Sequence, residues 1–177
     1  MKNKNAKQIT FAIAGILMIA SGSANAGTQT ANINVSAVVA PVCAMATTDL
    51  VFGAYQPLDA NATNPLLGTG TLNVTCTNGA VATIALDQGT HAADASTPST
   101  PIRQMRFTNA TNTNYYLPYF LYTNPSRTVT WGPLLGNSNG YTGTGTQTAV
   151  TIYAQIPAGQ SVAFGTYTDT VTATITF

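Results

Sequence analysis

Glutamate is absent from this sequence, and lysine occurs only at Lys2, Lys4 and Lys7. The acids are five scattered aspartates, Asp49, Asp59, Asp87, Asp94 and Asp169, and the one histidine is His91. Acid–base catalysis needs titratable groups held in pairs, and this inventory offers few ways to assemble them. His91 stands in the loop-like run Gly89–Asp94 without a nucleophile motif beside it, which gives it a structural or solvent-facing role. Asp49 and Asp59, the nearest approach to a carboxylate pair, lie in turn-like sequence where aspartate ordinarily bonds its own backbone. Two cysteines and a lone histidine are too few for a metal centre. The chain is therefore read as a non-enzyme with no catalytic residue, no cofactor and no metal.

What is present begins with an export signal. Lys2, Lys4 and Lys7 precede an apolar run from Ile9 to Ala20, and Ala24-Asn25-Ala26 has the small-x-small form that signal peptidases accept. The apolar run is short for a bilayer span of roughly 20 residues, so residues 1–26 are read as a signal peptide cleaved after Ala26. Residues 27–177 then carry Arg103, Arg106 and Arg127 against five aspartates, a net charge of −2. A surface this poor in basic groups excludes nucleic acid as a partner. Export also decides the cysteines. An isolated pair in an oxidising compartment forms one bridge, so Cys43 and Cys76 are expected to be joined.

Threonine, valine, isoleucine and tyrosine are plentiful, which favours strands over helices. Period-two runs occur at residues 31–39, 72–76, 81–86, 119–122, 150–156 and 168–177. Turn-forming clusters separate them at residues 59–70, 87–101, 109–114, 123–127 and 132–145. This spacing predicts an all-β antiparallel sandwich in one domain. The glycine-rich stretch Gly140–Thr148 is expected to be a loop. It lacks the lysine and the following helix of a phosphate-binding turn. Tyr115, Tyr116, Tyr119, Tyr122 and Trp131 could form a sugar platform, but are expected to divide between the core and a surface between subunits.

The two ends alternate most cleanly. In the last strand Val171, Ala173, Ile175 and Phe177 face one way and Thr170, Thr172, Thr174 and Thr176 the other. Near the start, Ala31, Ile33, Val35, Ala37 and Val39 share a face opposite Thr30, Asn32, Asn34 and Ser36. Residues 29–39 would extend about 35 Å at roughly 3.3 Å per residue, the length of one sandwich. On pattern alone this segment is either an edge strand of its own sheet or a strand free to leave it.

Several landmarks, taken in order, resemble a known family. They are the alternating strand leading to Cys43, Leu50–Tyr55, Leu72–Cys76, Arg103 with Met105, Tyr119–Tyr122, Trp131-Gly132, Ile152–Pro157 and Gly165–Val171. Together they are similar to the spore coat protein U family, the pilin-type domain of archaic (Csu-type) chaperone–usher pili, and most similar there to a major shaft subunit. The resemblance implies an incomplete immunoglobulin-like β-sandwich that lacks its final strand and is completed by one donated from a neighbour. It implies a donor segment at residues 27–39, with Ala31, Ile33, Val35, Ala37 and Val39 as its inserted face. The pilin domain would be residues 40–177, its acceptor groove lined partly by Val171, Ala173, Ile175 and Phe177. The family's disulfide would join Cys43 to Cys76.

The implied partners are identical pilin subunits in a head-to-tail homopolymer, a periplasmic chaperone, an outer-membrane usher, and minor pilins or a tip adhesin. The implied location is the cell surface, reached through the periplasm, and the implied role is a pilus supporting adhesion and biofilm formation. With 151 residues after the signal, a second, receptor-binding domain is not expected. The alternatives are a minor or tip-proximal pilin, or a secreted carbohydrate-binding module, which would instead be a self-complete sandwich.

Overall fold

Alternating Thr/Val/Ile sequence broken by Gly, Asn and Pro clusters builds short paired strands, and eight of them form among the described residues. The computed structural model describes residues 26–177, so the expected signal peptide lies outside the described residues except for Ala26. Two units separate, one ending at Ala37 and the other running from Val38 to Phe177. Residues 26–42 carry no regular secondary structure.

The second unit contains β1 (Cys43–Thr48), β2 (Leu66–Cys76), β3 (Val81–Leu86), β4 (Arg103–Thr108), β5 (Asn114–Tyr122), β6 (Asn139–Thr142), β7 (Thr148–Ile156) and β8 (Ala173–Thr176). They make a five-stranded sheet in the order β1-β2-β7-β5-β4 and a three-stranded sheet in the order β6-β3-β8. Every pairing is antiparallel. The architecture is all-β, an incomplete immunoglobulin-like sandwich. Inward residues of both sheets, among them Leu72, Val74, Ile84, Leu86, Leu121, Ala154 and Ile156, form the buried core. Trp131 closes it, fully buried, with its indole N–H donating to the Ile84 carbonyl at 2.8 Å.

Several elements differ from the sequence expectation, each for a physical reason. Residues 31–39 form no strand, because a strand persists only where its backbone N–H and C=O groups find a ladder partner. Strand β2 starts at Leu66, inside a stretch expected to turn. Gly68 and Gly70 lie within it as interior strand residues. A Cβ at Gly68 would stand 2.9 Å from the Phe52 ring, and one at Gly70 would stand 3.2 Å from Leu50. Glycine is there to let another segment lie close, not to bend the chain. Strand β6 starts one residue before the glycine-rich stretch expected to be a loop, runs into it, and pairs with β3 from Val81↔Thr142 to Ile84↔Asn139. Strands β1 and β4 were not expected, since CAMATT and RQMRFT are poor in β-branched apolar residues.

Candidate functional site: an open cleft in the sandwich

The last segment of the chain changes sheets. Thr168 and Arg106 exchange backbone hydrogen bonds of 2.8 and 3.1 Å, which ties the segment to β4 of the larger sheet. A few residues on, β8 pairs with β3 of the smaller sheet, from Ala173↔Leu86 to Thr176↔Thr83. Beside this crossing the sandwich is open. A cleft of about 810 Å³ lies between residues 47–53 and residues 165–173. Its floor is apolar and includes Leu72, Leu86, Leu117, Leu121, Ile152 and Ile156, so part of the hydrophobic core looks into the gap.

Asp169 holds the crossing segment in place. It falls on the same face of the alternating strand as Val171, so its carboxylate points inward and its side chain is almost wholly buried. One oxygen accepts the Tyr119 hydroxyl at 2.6 Å; the other accepts the His91 backbone N–H and faces His91 Nδ1, both at 3.1 Å. Burial, followed by the hydrogen bond to Asp169, raises the Tyr119 hydroxyl far above its ordinary pKa. Gly89 makes this arrangement possible. Its φ is 79°, and a Cβ there would collide with the Asp169 carboxylate. His91 is thus a structural partner of Asp169, and both oxygens of that carboxylate are engaged.

Arg103 braces the same region from β4. It is 1% exposed, and its guanidinium donates to the carbonyls of Asp87, Leu86 (3.1 Å) and Trp131 (2.7 Å). Burial lowers its pKa, opposed by Tyr119, Asp87 and Asp169 nearby. Asp87 works at the other end of the network. Its Oδ1 accepts the backbone N–H groups of Gly89 and Thr172, each at 2.9 Å. These groups fix backbone; they do not converge on a reacting centre. Among the described residues no cluster of three or more His, Cys, Asp or Glu could hold a metal ion.

Of the four residues expected to line a groove, Val171 and Ala173 line the cleft. Ile175 packs against the core without lining it, and Phe177 is 52% exposed at the chain end. In the N-terminal segment Ala31, Ile33, Val35, Ala37 and Val39 are all exposed, Ile33 and Val35 almost fully, at 87% and 90%. Cys43 and Cys76 are joined in a disulfide across the first pair of β1 and β2. The expected aromatic platform is dispersed. Tyr119 and Trp131 are core residues, Tyr115 and Tyr122 are half-buried, and Tyr116 is exposed.

The cleft is lined by residues that sequence reasoning did not single out as a site, Leu50, Phe52 and Asp169, and Gly70 and Gly68 lie beneath the first two. Two signals pointed to them. Gly68 and Gly70 share the period-two phase of Leu66 and Leu72, and Asp169 is a charge on an apolar strand face.

Comparison with known proteins gives a consistent picture. Protein U of Myxococcus xanthus is 42% identical over 166 residues, covering 90% of this chain and 91% of that protein. A second likeness is to a chain in the crystal structure of the CsuC–CsuE chaperone–tip adhesion subunit pre-assembly complex from archaic chaperone–usher Csu pili of Acinetobacter baumannii. There the TM-score is 0.53 at 22% identity, over 78% of this chain and 40% of that one, a likeness of fold. The fold and the family are those of a structural, non-enzymatic protein. Residues 29–174 match the family described as Spore Coat Protein U domain, and the chain belongs to that family.

Proposed function

We propose that this chain is a structural subunit of a chaperone–usher pilus, exported to the cell surface and assembled by strand donation. The observation that carries the reading is the cleft: a sandwich whose apolar floor is left open along one side. An extended segment laid in that gap would bury the floor and pair with free strand edge, the β-addition mode of recognition. The donor in this reading is residues 27–39 of a second copy, with Ala31, Ile33, Val35, Ala37 and Val39 facing the floor. Burying the three larger side chains would contribute roughly 1.5–3 kcal/mol each. The residues of the cleft facing the donor would include Val171 and Ala173, with Ile175 and Phe177 further along the same strand.

A chain that carries both a donor segment and an acceptor cleft can be added repeatedly. Head-to-tail contacts that do not close on themselves give a filament. That supports a shaft subunit over a terminal one, in a fibre serving attachment and biofilm formation. A periplasmic chaperone would cover the cleft before assembly, and an outer-membrane usher would be the place of exchange. The test is Ile33→Asp and deletion of residues 27–39 in the secreting cell. Both chains are expected to reach the periplasm with their disulfide formed, and neither should give fibres by electron microscopy. Normal fibres from either would overturn donation by this segment.

A further inference from the structure

The two walls of the cleft are held in different ways. The C-terminal wall is bolted down by polar groups. Asp169 takes the Tyr119 and His91 bonds, and Thr170 accepts from the Thr90 N–H and hydroxyl at 3.0 and 3.1 Å. Thr172 receives the Asp87 N–H at 3.0 Å and donates its own to the Asp87 carboxylate at 2.9 Å.

The opposite wall, residues 49–54, makes no hydrogen bond among the described residues. It is strand-like all the same. Leu50 and Phe52 turn inward, while Asp49, Val51 and Gly53 face out. Its attachment is apolar, with Leu50 seated over Gly70, Phe52 over Gly68, and the Phe52 ring edge-on to Tyr119 with centroids 6.2 Å apart. Gly53, at φ 82°, turns the chain at its far end. A segment held by two side chains and no backbone bonds opens locally at far lower cost than one held by a polar network.

We infer that residues 49–54 are a hinged wall. They lift from their two-glycine seat to admit an added strand and close on it, while residues 168–172 stay fixed as the template. The occupant is residues 27–39 of a second copy, so the inference rests on the strand-donation reading. The test is amide hydrogen exchange on the full-length oxidised chain, with and without a synthetic peptide of residues 28–41.

Amides of 49–54 should exchange quickly in the free chain and slow by about tenfold or more with peptide bound, while the bonded amides of the fixed wall, those of Thr168, Thr172, Asp87, Thr90 and His91, stay protected throughout. Equal protection of 49–54 in both states, or exchange starting at the bonded amides of the C-terminal wall, would overturn the hinged wall while leaving strand donation standing. Absence of peptide binding, read separately by fluorescence anisotropy, would sink donation and the wall together. Gly68→Ala sharpens the test, because its Cβ would press on Phe52. It should weaken the peptide-induced protection of 49–54 alone, and unchanged protection there would remove the seat.

Discussion

At the N-terminal end Ile33, Val35 and Val39 stand bare, on a segment with no secondary structure. At the C-terminal end Val171, Ala173 and Ile175 pack against the core, the last two on a strand paired with β3. Both segments carry the same alternation of apolar and polar residues, so pattern does not distinguish them. What differs is the company. The C-terminal segment has β3 beside it and Asp169 tying it down; the N-terminal one has neither. Alternation makes a segment competent to be a strand, and a partner edge makes it one. In the proposed fibre, that missing company comes from the next molecule.

The largest expected effect bears on where the exposed end joins the sandwich. There Val42 and Thr77 share a backbone bond of 2.9 Å, next to the Cys43–Cys76 disulfide. The bridge spans a sequence separation of 33 residues. In the chain-entropy model a loop of that size contributes about 3–4 kcal/mol. Denaturant unfolding with and without reductant should differ by that amount, and an unchanged midpoint would show that the junction needs no staple.

The fold class was legible in the sequence because strand chemistry is local. Val81–Leu86 was read to the residue, and the C-terminal alternation gave the inward face of β8. Turn chemistry misled at Gly68 and Gly70, where glycine answers to Phe52 and Leu50, 16 and 20 residues earlier in the chain. No local signal carries such a contact. Strand β4 hid for a related reason. Its fully buried residue is Arg103, which is buried only because three distant carbonyls receive it. The cleft is the extreme case. It is an absence between two segments far apart in sequence, and the family resemblance, not periodicity, pointed to it.

A smaller effect sets the two ends directly against each other. Ile175→Ala should destabilise the isolated subunit by about 1–2 kcal/mol, less than the cost at a fully buried site because Ile175 is only half-buried. Ile33→Ala should leave the same unfolding curve within about 0.5 kcal/mol, as exposed positions do. Assembly should reverse the ranking for Ile33, which then loses buried contact in every joint of the fibre. Equal effects of the two substitutions on the monomer would mean that the N-terminal end is already packed before assembly.

The smallest effect isolates the bolt on the C-terminal end and is visible in alkali. The Tyr119 hydroxyl is held protonated by burial and by Asp169, its pKa raised well above the ordinary value of about 10. Below that value the phenol is protonated in both folded and unfolded chains, and its contribution to stability is fully present. As pH rises beyond it, the unfolded phenol ionises while the folded one does not, so stability falls by up to about 1.4 kcal/mol per pH unit from this group. Tyr122 and Tyr167 are also raised by burial and act in the same direction, so Tyr119→Phe should flatten the slope without abolishing it. Unfolding curves between about pH 9 and 11 measure the difference. Identical slopes in the two proteins would mean that the Tyr119–Asp169 bond does not hold the C-terminal wall, and the contrast between the ends would then rest on the β3 ladder alone.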